Sequence, residues 1–276
     1  MGDLTGKVAF ITGAARGQGR AHAIRLAEDG ADIIAVDICA PVANMAYPMG
    51  TEEELAETAA LVEKEGRRVF TAKADVRDGA SLKAALDQGV EELGGLDIVI
   101  ANAGIATFTP SHLISEEEWH DVIEINLSGV WRTVKVAIPH LIERGSGNII
   151  LTSSAAGECG PANLAHYTAT KHGVLGMMKT FVNELSQYNI RVNSLMSTQV
   201  DTPIIMHEQV YKLFAPHLDN PTREDFEKAS TTINALPIPW IEPVDVANAA
   251  AFLVSDQARY ITGTGLKIDA GTLVKR

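Results

Sequence analysis

The stretch "VAFITGAARGQGRAHAIRLAEDGADIIAVD", Val8–Asp37, decides the fold. Val8–Thr12 is a continuous apolar and β-branched run, the pattern of a strand covered on both faces. "TGAARGQG" (Thr12–Gly19) follows at once and opens the amphipathic segment "GRAHAIRLAEDG". "ADIIAVD" is a second buried strand, closed by Asp37. Strand, glycine turn, helix and strand form a βαβ unit, and parallel strands need such a crossover.

Outward from this unit the alternation continues. "TEEELAETAALVEKEG" opens with a capping box, Thr51 and Glu54, and stops at Gly66. "RRVFTAKADV" is the third strand, "SLKAALDQGVEELGG" a helix and "LDIVIANAG" the fourth strand. "SEEEWHDVIEINLSGVWRTVKVAIPHLIERG" is helical, "GNIILTSS" a fifth strand, and "NLAHYTATKHGVLGMMKTFVNELSQ" a long helix. "IRVNSLMS" is the sixth strand and "GTGLKID" the last. Buried strands alternating with helices specify a doubly wound parallel sheet of Rossmann type, α/β, with helices on both faces. One domain spans residues 1–276. Two stretches depart from the alternation: the insertion at 38–50, "ICAPVANMAYPMG", and the proline-interrupted segment 201–243. A long irregular segment in a compact domain points to a substrate lid.

The composition fits a globular enzyme, with 46% hydrophobic residues among 276 and 23 glycines. A formal net charge of −12 speaks against nucleic acid or an anionic membrane as partner. No apolar run approaches the ~18 residues of a membrane span. "MGDLTG" gives neither a signal pattern nor, with Gly6 where Ser or Thr is wanted, a myristoylation context for Gly2. Cys39 and Cys159 match no metal spacing and fit free thiols in a reducing compartment, so the cytoplasm is expected.

The glycine turn reads as a phosphate cradle because a strand precedes it and a helix follows. Gly13 permits the tight turn, Gly17 lets the backbone approach a pyrophosphate and Gly19 allows close helix packing. Helix N-terminal amides then face the phosphates. Asp37 sits where an acidic residue takes adenosine ribose hydroxyls, whereas Arg16 offers a partner for a 2′-phosphate. A carboxylate ~4 Å from a phosphate costs about 4 kcal/mol per unit charge at an effective dielectric near 20. A solvent-exposed arginine offsets that only by about 0–1 kcal/mol. The residues therefore predict NAD over NADP. "HYTATK" places Tyr167 and Lys171 at i and i+4 on one helical face, where an ammonium would favour the phenolate.

Several motifs in this order make the chain similar to the short-chain dehydrogenase/reductase superfamily. They are Thr12, Gly13, Gly17 and Gly19; Asp75 and Val76 in "AKADVRD"; and "ANAG" with Asn102, Ala103 and Gly104. They continue with Asn126 in "EINLSGV", Ser154 in "LTSSAAG", and Tyr167 and Lys171. The resemblance implies an Asn126–Ser154–Tyr167–Lys171 tetrad, Ser154 being chosen over Ser153 by the Ser-x12-Tyr spacing. It implies a bound cofactor touching Arg16, Gln18, Ile38, the Asp75–Val76 pair, Val200 and Thr202, with Asn126 holding a water that links Lys171 to solvent. Two departures stand out: Ala101 replaces the first Asn of the Asn-Asn-Ala-Gly motif, and Ser197–Thr198 replaces the usual Pro-Gly. His166 and His172 flank the pair with no evident carboxylate or metal partner, and read as surface or core histidines. Cys159 reads as a packing residue in the loop after Ser154.

Within the superfamily the insertion with "YPM" and "ARYITGTGLKIDAG" resemble the carveol dehydrogenase-like, mycofactocin-associated subgroup. That likeness implies an insertion covering the adenosine end, tightly held NAD, a mycofactocin-type redox carrier and a homotetramer. The expected substrate is a small hydrophobic secondary alcohol, such as a cyclic terpenoid, against Met206, Tyr211, Phe214 and Trp240. An NADPH-dependent ketoacyl reductase and a non-catalytic dinucleotide sensor are the alternatives.

Overall fold

The computed structural model describes residues 3–275, so Gly2 lies outside it. Seven parallel strands form one sheet: β1 Val8–Thr12, β2 Asp32–Asp37, β3 Val69–Lys73, β4 Ile98–Ala101, β5 Gly147–Thr152, β6 Ile190–Ser197 and β7 Gly265–Ile268. Their order is β3-β2-β1-β4-β5-β6-β7. The strand order reverses between β1 and β4, and at such a point a crevice opens beyond the strand C-termini. β1, β2 and β4 are buried at every residue, as uninterrupted apolar runs require when helices cover both faces. The Rossmann-type fold expected from the sequence is present.

The helices of the first half are α1 Gly17–Glu28, α2 Glu52–Lys64 and α3 Gly79–Leu93. Thr51 and Glu54 complete the capping box at the start of α2, with Thr51 Oγ1 accepting from the Glu54 amide at 3.1 Å. One core lies between the sheet and the face carrying α3, with Phe10, Leu82, Leu86 and Val99 fully buried. The other lies under α1, with Ile11, Leu26, Ile33 and Ile100.

Three findings correct the sequence reading. The long helix expected at 115–145 runs as α4 Glu116–Ile123, a π-helical turn Glu124–Ser128 and α5 Gly129–Arg144. A π turn widens the helix by one residue, and such bulges gather at functional sites. Asn126 sits inside it. The segment 201–243 is not irregular throughout. After the long α6 Ala165–Leu185 and β6 it holds α7 Glu208–Phe214 and α8 Arg223–Thr231, the latter started by a Thr222–Asp225 capping box. These short helices build a small core of their own around Phe226, which stacks on Tyr211 and Trp240 at centroid distances of 5.3 and 5.5 Å. Finally, α9 Pro243–Val254, a helix the sequence reading did not place, packs on α1 and precedes β7. No helix among the described residues is long and apolar enough to cross a membrane.

Candidate active site

The glycine turn after β1 is shaped by contacts that exclude side chains. Gly13 has φ +70°, and a Cβ there would lie 2.9 Å from Ala103 Cα. Gly17 has φ +56° against the Thr202 methyl, and a Cβ at Gly19 would run into the Gly13 carbonyl oxygen. Gly19 is therefore a packing glycine. The turn is tied to the end of β4 as well: Thr12 Oγ1 accepts the amides of Asn102 (3.1 Å) and Ala103 (3.2 Å), and Asn102 Nδ2 donates to the Thr12 carbonyl at 3.1 Å. Ala101 in place of an asparagine leaves this strand-to-turn join intact.

A cleft opens above the turn, lined continuously from Asp37 to Tyr167 and Lys171. Gly13, Arg16, Gly17 and Gln18 form its floor. Asp37, Ile38, Asp75 and Val76 bound one end, and Asn102, Ala103 and Gly104 the middle. Tyr167, Lys171 and Thr202 stand at the other end. Of the residues expected from the sequence, Gly19, Asn126 and Val200 stand behind the wall, while Ser154 is partly exposed beside Tyr167. Val200 pairs with Ile241 in an isolated bridge and accepts from Thr202 Oγ1 at 3.3 Å, which positions Thr202. A cradle of this shape, with amides at a helix N-terminus and a carboxylate at the end of the neighbouring strand, fits a dinucleotide.

Asp37 is held by two backbone amides, Ala15 to Oδ2 at 3.0 Å and Cys39 to Oδ1 at 3.2 Å. Arg16 does not point at an open anion site: its guanidinium donates to the Pro48 carbonyl and lies 3.8 Å from Glu54. Asp75 accepts from the Arg77 amide at 2.8 Å and pairs with its guanidinium.

The 38–50 insertion supplies residues that sequence reasoning did not place in the site. Val42, Tyr47, Met49 and Gly50 line the cleft. Gly50 lies against the Asp37 carboxylate, the end where coverage was expected. Tyr47 reaches the opposite end. Its hydroxyl accepts from the Ala106 amide at 3.0 Å, and its ring meets His207, in the segment 201–243, at a centroid distance of 5.4 Å. Burial pushes the Tyr47 phenol up to about 12, so it stays protonated. "YPM" carried this signal only as a family likeness.

At the far end α6 presents Tyr167 and Lys171 one turn apart. Lys171 Nζ donates to the Thr152 carbonyl at 2.8 Å and lies 5.3 Å from the Tyr167 ring centroid. Burial lowers the lysine to about 8 and raises the Tyr167 phenol, while a hydrogen bond with Ser154 pulls the phenol back down. The phenol therefore stands above its ordinary value, with Ser154 rather than Lys171 as the partner that opposes burial. Ser153 and Ser154 have different duties. Ser153 Oγ is buried and donates to the Lys171 carbonyl at 3.0 Å, whereas Ser154 caps the short helical turn Ala155–Gly157 and stands beside the phenol. Asn126 is fully buried in the π turn, and its amide is used at both ends by Ile105: Nδ2 donates to the carbonyl at 2.8 Å and Oδ1 accepts from N–H at 2.9 Å.

Thr198, in the departure from Pro-Gly, donates to Asn234 Oδ1 at 2.9 Å and meets Thr272 Oγ1 at 2.9 Å, anchoring the loop to the C-terminal end. Met206, Tyr211, Phe214 and Trp240 pack on the small core around Phe226 rather than lining the cleft, which ends at Pro203 and Ile204. Cys39 and Cys159 are free thiols, and the Cys159 Sγ donates to the Ala155 carbonyl at 3.3 Å, a packing contact. His172 is exposed and bonded to its own helix at Thr168, as a surface histidine would be. His166 overturns the expectation that no carboxylate accompanies it: Glu118 lies 3.4 Å from its Nε2. Among the described residues no cluster could hold a metal ion.

A seven-stranded parallel sheet, a glycine turn and a Tyr–Lys helix at one cleft define a dinucleotide-binding oxidoreductase scaffold. The model for the short chain dehydrogenases matches residues 7–210, and the chain belongs to that family. It is 57% identical to (−)-trans-carveol dehydrogenase of Rhodococcus erythropolis over the full length of both chains. The crystal structure of carveol dehydrogenase from Mycobacterium avium in complex with NAD superposes with a TM-score of 0.98 at 52% identity, covering 100% of each chain. That of a short chain dehydrogenase from Mycobacterium paratuberculosis bound to NAD gives 0.90 at 41%, covering 99% of this chain and 100% of the other.

Proposed function

We propose that this chain is an NAD-dependent dehydrogenase that interconverts a small hydrophobic secondary alcohol of the carveol class and its ketone. The observation that carries the reading is one continuous cleft with the glycine turn and Asp37 at one end and Tyr167–Lys171 at the other. The relatives named for carveol and bound to NAD support it over the full chain length.

Gly13, Gly17, Gln18 and the amides opening α1 would hold the cofactor phosphates, Asp37 and Ile38 the adenosine ribose, and Asp75 and Val76 the adenine. Asn102, Ala103, Gly104 and Thr202 would border the nicotinamide half, with Val200 holding Thr202 from behind. Asp37 repels a 2′-phosphate, and Arg16, occupied by Pro48 and Glu54, is not free to neutralise one. When bound, the nicotinamide supplies hydride acceptance and donation. The chain's part is to orient the alcohol and move one proton. Ser154 orients the substrate oxygen, and Tyr167 takes or returns the hydroxyl proton. Lys171, protonated at neutral pH with its value near 8, favours the phenolate. Asn126 acts through the backbone it braces at Ile105 and through the π turn beside Lys171, where a water would lead to solvent.

The insertion and the lid at 201–243 close over the ligands, so that NAD is retained between turnovers and re-oxidised in place by a mycofactocin-type carrier. The links from Arg16 to Pro48 and from Tyr47 to Ala106 support this cover. The protein assembles as a homotetramer in the cytoplasm. The exposed Trp131 and Ile142 on α5 suit a helix-pair interface, and two free cysteines suit a reducing compartment. Asp37 opposes the NADPH-dependent ketoacyl reductase, and the intact Tyr167–Lys171 pair opposes a sensor without catalysis.

The test is a panel of secondary alcohols, carveol included, with NAD, NADP and an artificial dye acceptor. We expect carveol-like alcohols to be oxidised with kcat/KM for NAD at least about tenfold above NADP. Equal values with both cofactors would contradict the role of Asp37, and inactivity across the panel the alcohol reading. NAD carried through gel filtration supports retention; an apoenzyme restored in full by micromolar NAD counts against it.

A further inference from the structure

His166 precedes Tyr167 and is completely buried, yet the chemistry above gives it no task. Its surroundings are polar and ordered. The imidazole Nδ1 accepts from the Tyr167 backbone amide at 2.9 Å. That amide belongs to the first turn of α6, whose N–H groups have no partner within the helix, and the residue before the helix, Leu164, offers no side-chain cap. An acceptor at Nδ1 puts the proton of the neutral ring on Nε2. Nε2 lies 2.6 Å from Thr107 Oγ1 and 3.4 Å from Glu118 Oε1, and Glu118 Oε1 also accepts from Thr109 Oγ1 at 2.7 Å. Trp119 stacks over the imidazole, rings 20° from parallel.

Three separate elements meet here: the loop after β4 with Thr107 and Thr109, α4 with Glu118, and the start of α6. The Thr109 amide adds a second tie, donating at 2.9 Å to the carbonyl of Asn163, two residues before α6 begins. The same loop carries Ala106, which Tyr47 holds, and Ile105, which Asn126 holds.

We propose that His166 is a positioning residue: through Thr107 and Glu118 its neutral ring fixes the first turn of α6, and with it the Tyr167 phenol, against the loop that borders the substrate. The proposal rests on Tyr167 being the acid/base. A phenol displaced by even ~1 Å from the substrate oxygen loses much of its rate, so the effect falls on kcat rather than on cofactor binding. The network works only with a neutral imidazole. A proton on Nδ1 would aim N–H at the N–H of Tyr167. Among the described residues, Glu118 is the charged group facing the ring; burial disfavours the imidazolium and Glu118 favours it, burial being the larger.

The experiment measures ketone reduction, because Tyr167 stays protonated there as pH falls and an acid limb reports on the network rather than on the phenol. His166→Ala should lower kcat about tenfold while leaving KM for NADH within about twofold. His166→Asn, whose Oδ1 takes the place of Nδ1, should recover most of the loss. Glu118→Gln, which keeps the shape and removes the charge, should move the acid limb of kcat to lower pH by about half a unit or more. Tyr167→Phe is measured alongside. Wild-type kcat in His166→Ala beside an inactive Tyr167→Phe overturns the positioning role alone. An active Tyr167→Phe overturns the acid/base reading and this proposal with it. If His166→Ala does not fold, Glu118→Gln decides: an unmoved acid limb overturns the proposal.

Discussion

Tyr167 and Lys171 oppose each other's neutrality in a buried site, and the balance sets the working pH. Burial raises the phenol and lowers the ammonium to about 8. Lys171 Nζ lies 5.3 Å from the Tyr167 ring centroid, within the range over which an opposite charge favours the phenolate. Lys171→Met should therefore shift the acid limb of kcat for alcohol oxidation to higher pH by about one to two units, as well as lowering its maximum. The direction follows because an alcohol-oxidising base must be deprotonated, and without the ammonium that happens only at higher pH. The pH–kcat profiles of the two proteins check it; an unmoved limb would mean that Lys171 does not act on the phenol. Removing Nζ also strips the Thr152 carbonyl of its donor, a cost of about 1–3 kcal/mol in stability, visible separately in thermal unfolding.

At the scale of elements the insertion is the part that distinguishes this cleft. One end, at Gly50, lies on the Asp37 carboxylate; the middle is tied through Pro48 to Arg16; and Tyr47 crosses to Ala106 and His207. Tyr47→Phe keeps the ring and its contact with His207 but leaves the Ala106 amide without its acceptor. One such bond contributes about 1 kcal/mol, so NAD should dissociate about fivefold faster, while kcat in saturating NAD changes little. Stopped-flow displacement of NAD measures it, and an unchanged dissociation rate would separate the insertion from cofactor retention. The inner strands were legible because a strand buried on both faces writes itself as an apolar run, the partly exposed edge strands β3 and β7 followed from the alternation with helices, and Thr51–Glu54 announced α2 through a local hydrogen-bond pattern. The reach of Tyr47 was not legible, because it depends on how a loop folds across 59 residues of chain to Ala106. The pairing of His166 with Glu118 across 48 residues was hidden for the same reason. α7 and α8 were masked by the prolines around them: the capping box at Thr222 and Asp225 was present in the sequence, but the small core around Phe226 that makes those helices worth forming is tertiary.

For the molecule as a whole, the response to acid should come in two stages. His22, on α1 where α9 packs, is completely buried, and neither ring nitrogen has a hydrogen-bond partner. Burial lowers it to about 4 from 6.5, so the unfolded chain binds its proton first. Stability is then full above pH 6.5 and is lost as pH falls from there toward 4. At pH 5 this one group costs roughly 2 kcal/mol, or about 4 °C in Tm for a chain of this size. Asp32, Asp87, Glu118 and Glu124 are held below the ordinary carboxylate range chiefly by arginine, lysine and hydroxyl partners that outweigh their burial, so their stabilisation persists to lower pH and is lost in a second stage. His22→Leu fills a similar volume and removes a polar group that makes no bond, so stability at pH 7 should be unchanged or slightly higher. The fall in Tm between pH 7 and pH 5 should shrink by about 4 °C relative to the parent, while the fall below pH 4 should be the same in both. His166 and His207 are also lowered by burial, but both remain in the variant and cancel in the difference. A parallel decline of the two proteins from pH 7 to 5 would show that the packing of α1 on α9 opens to admit water to His22 before the chain unfolds.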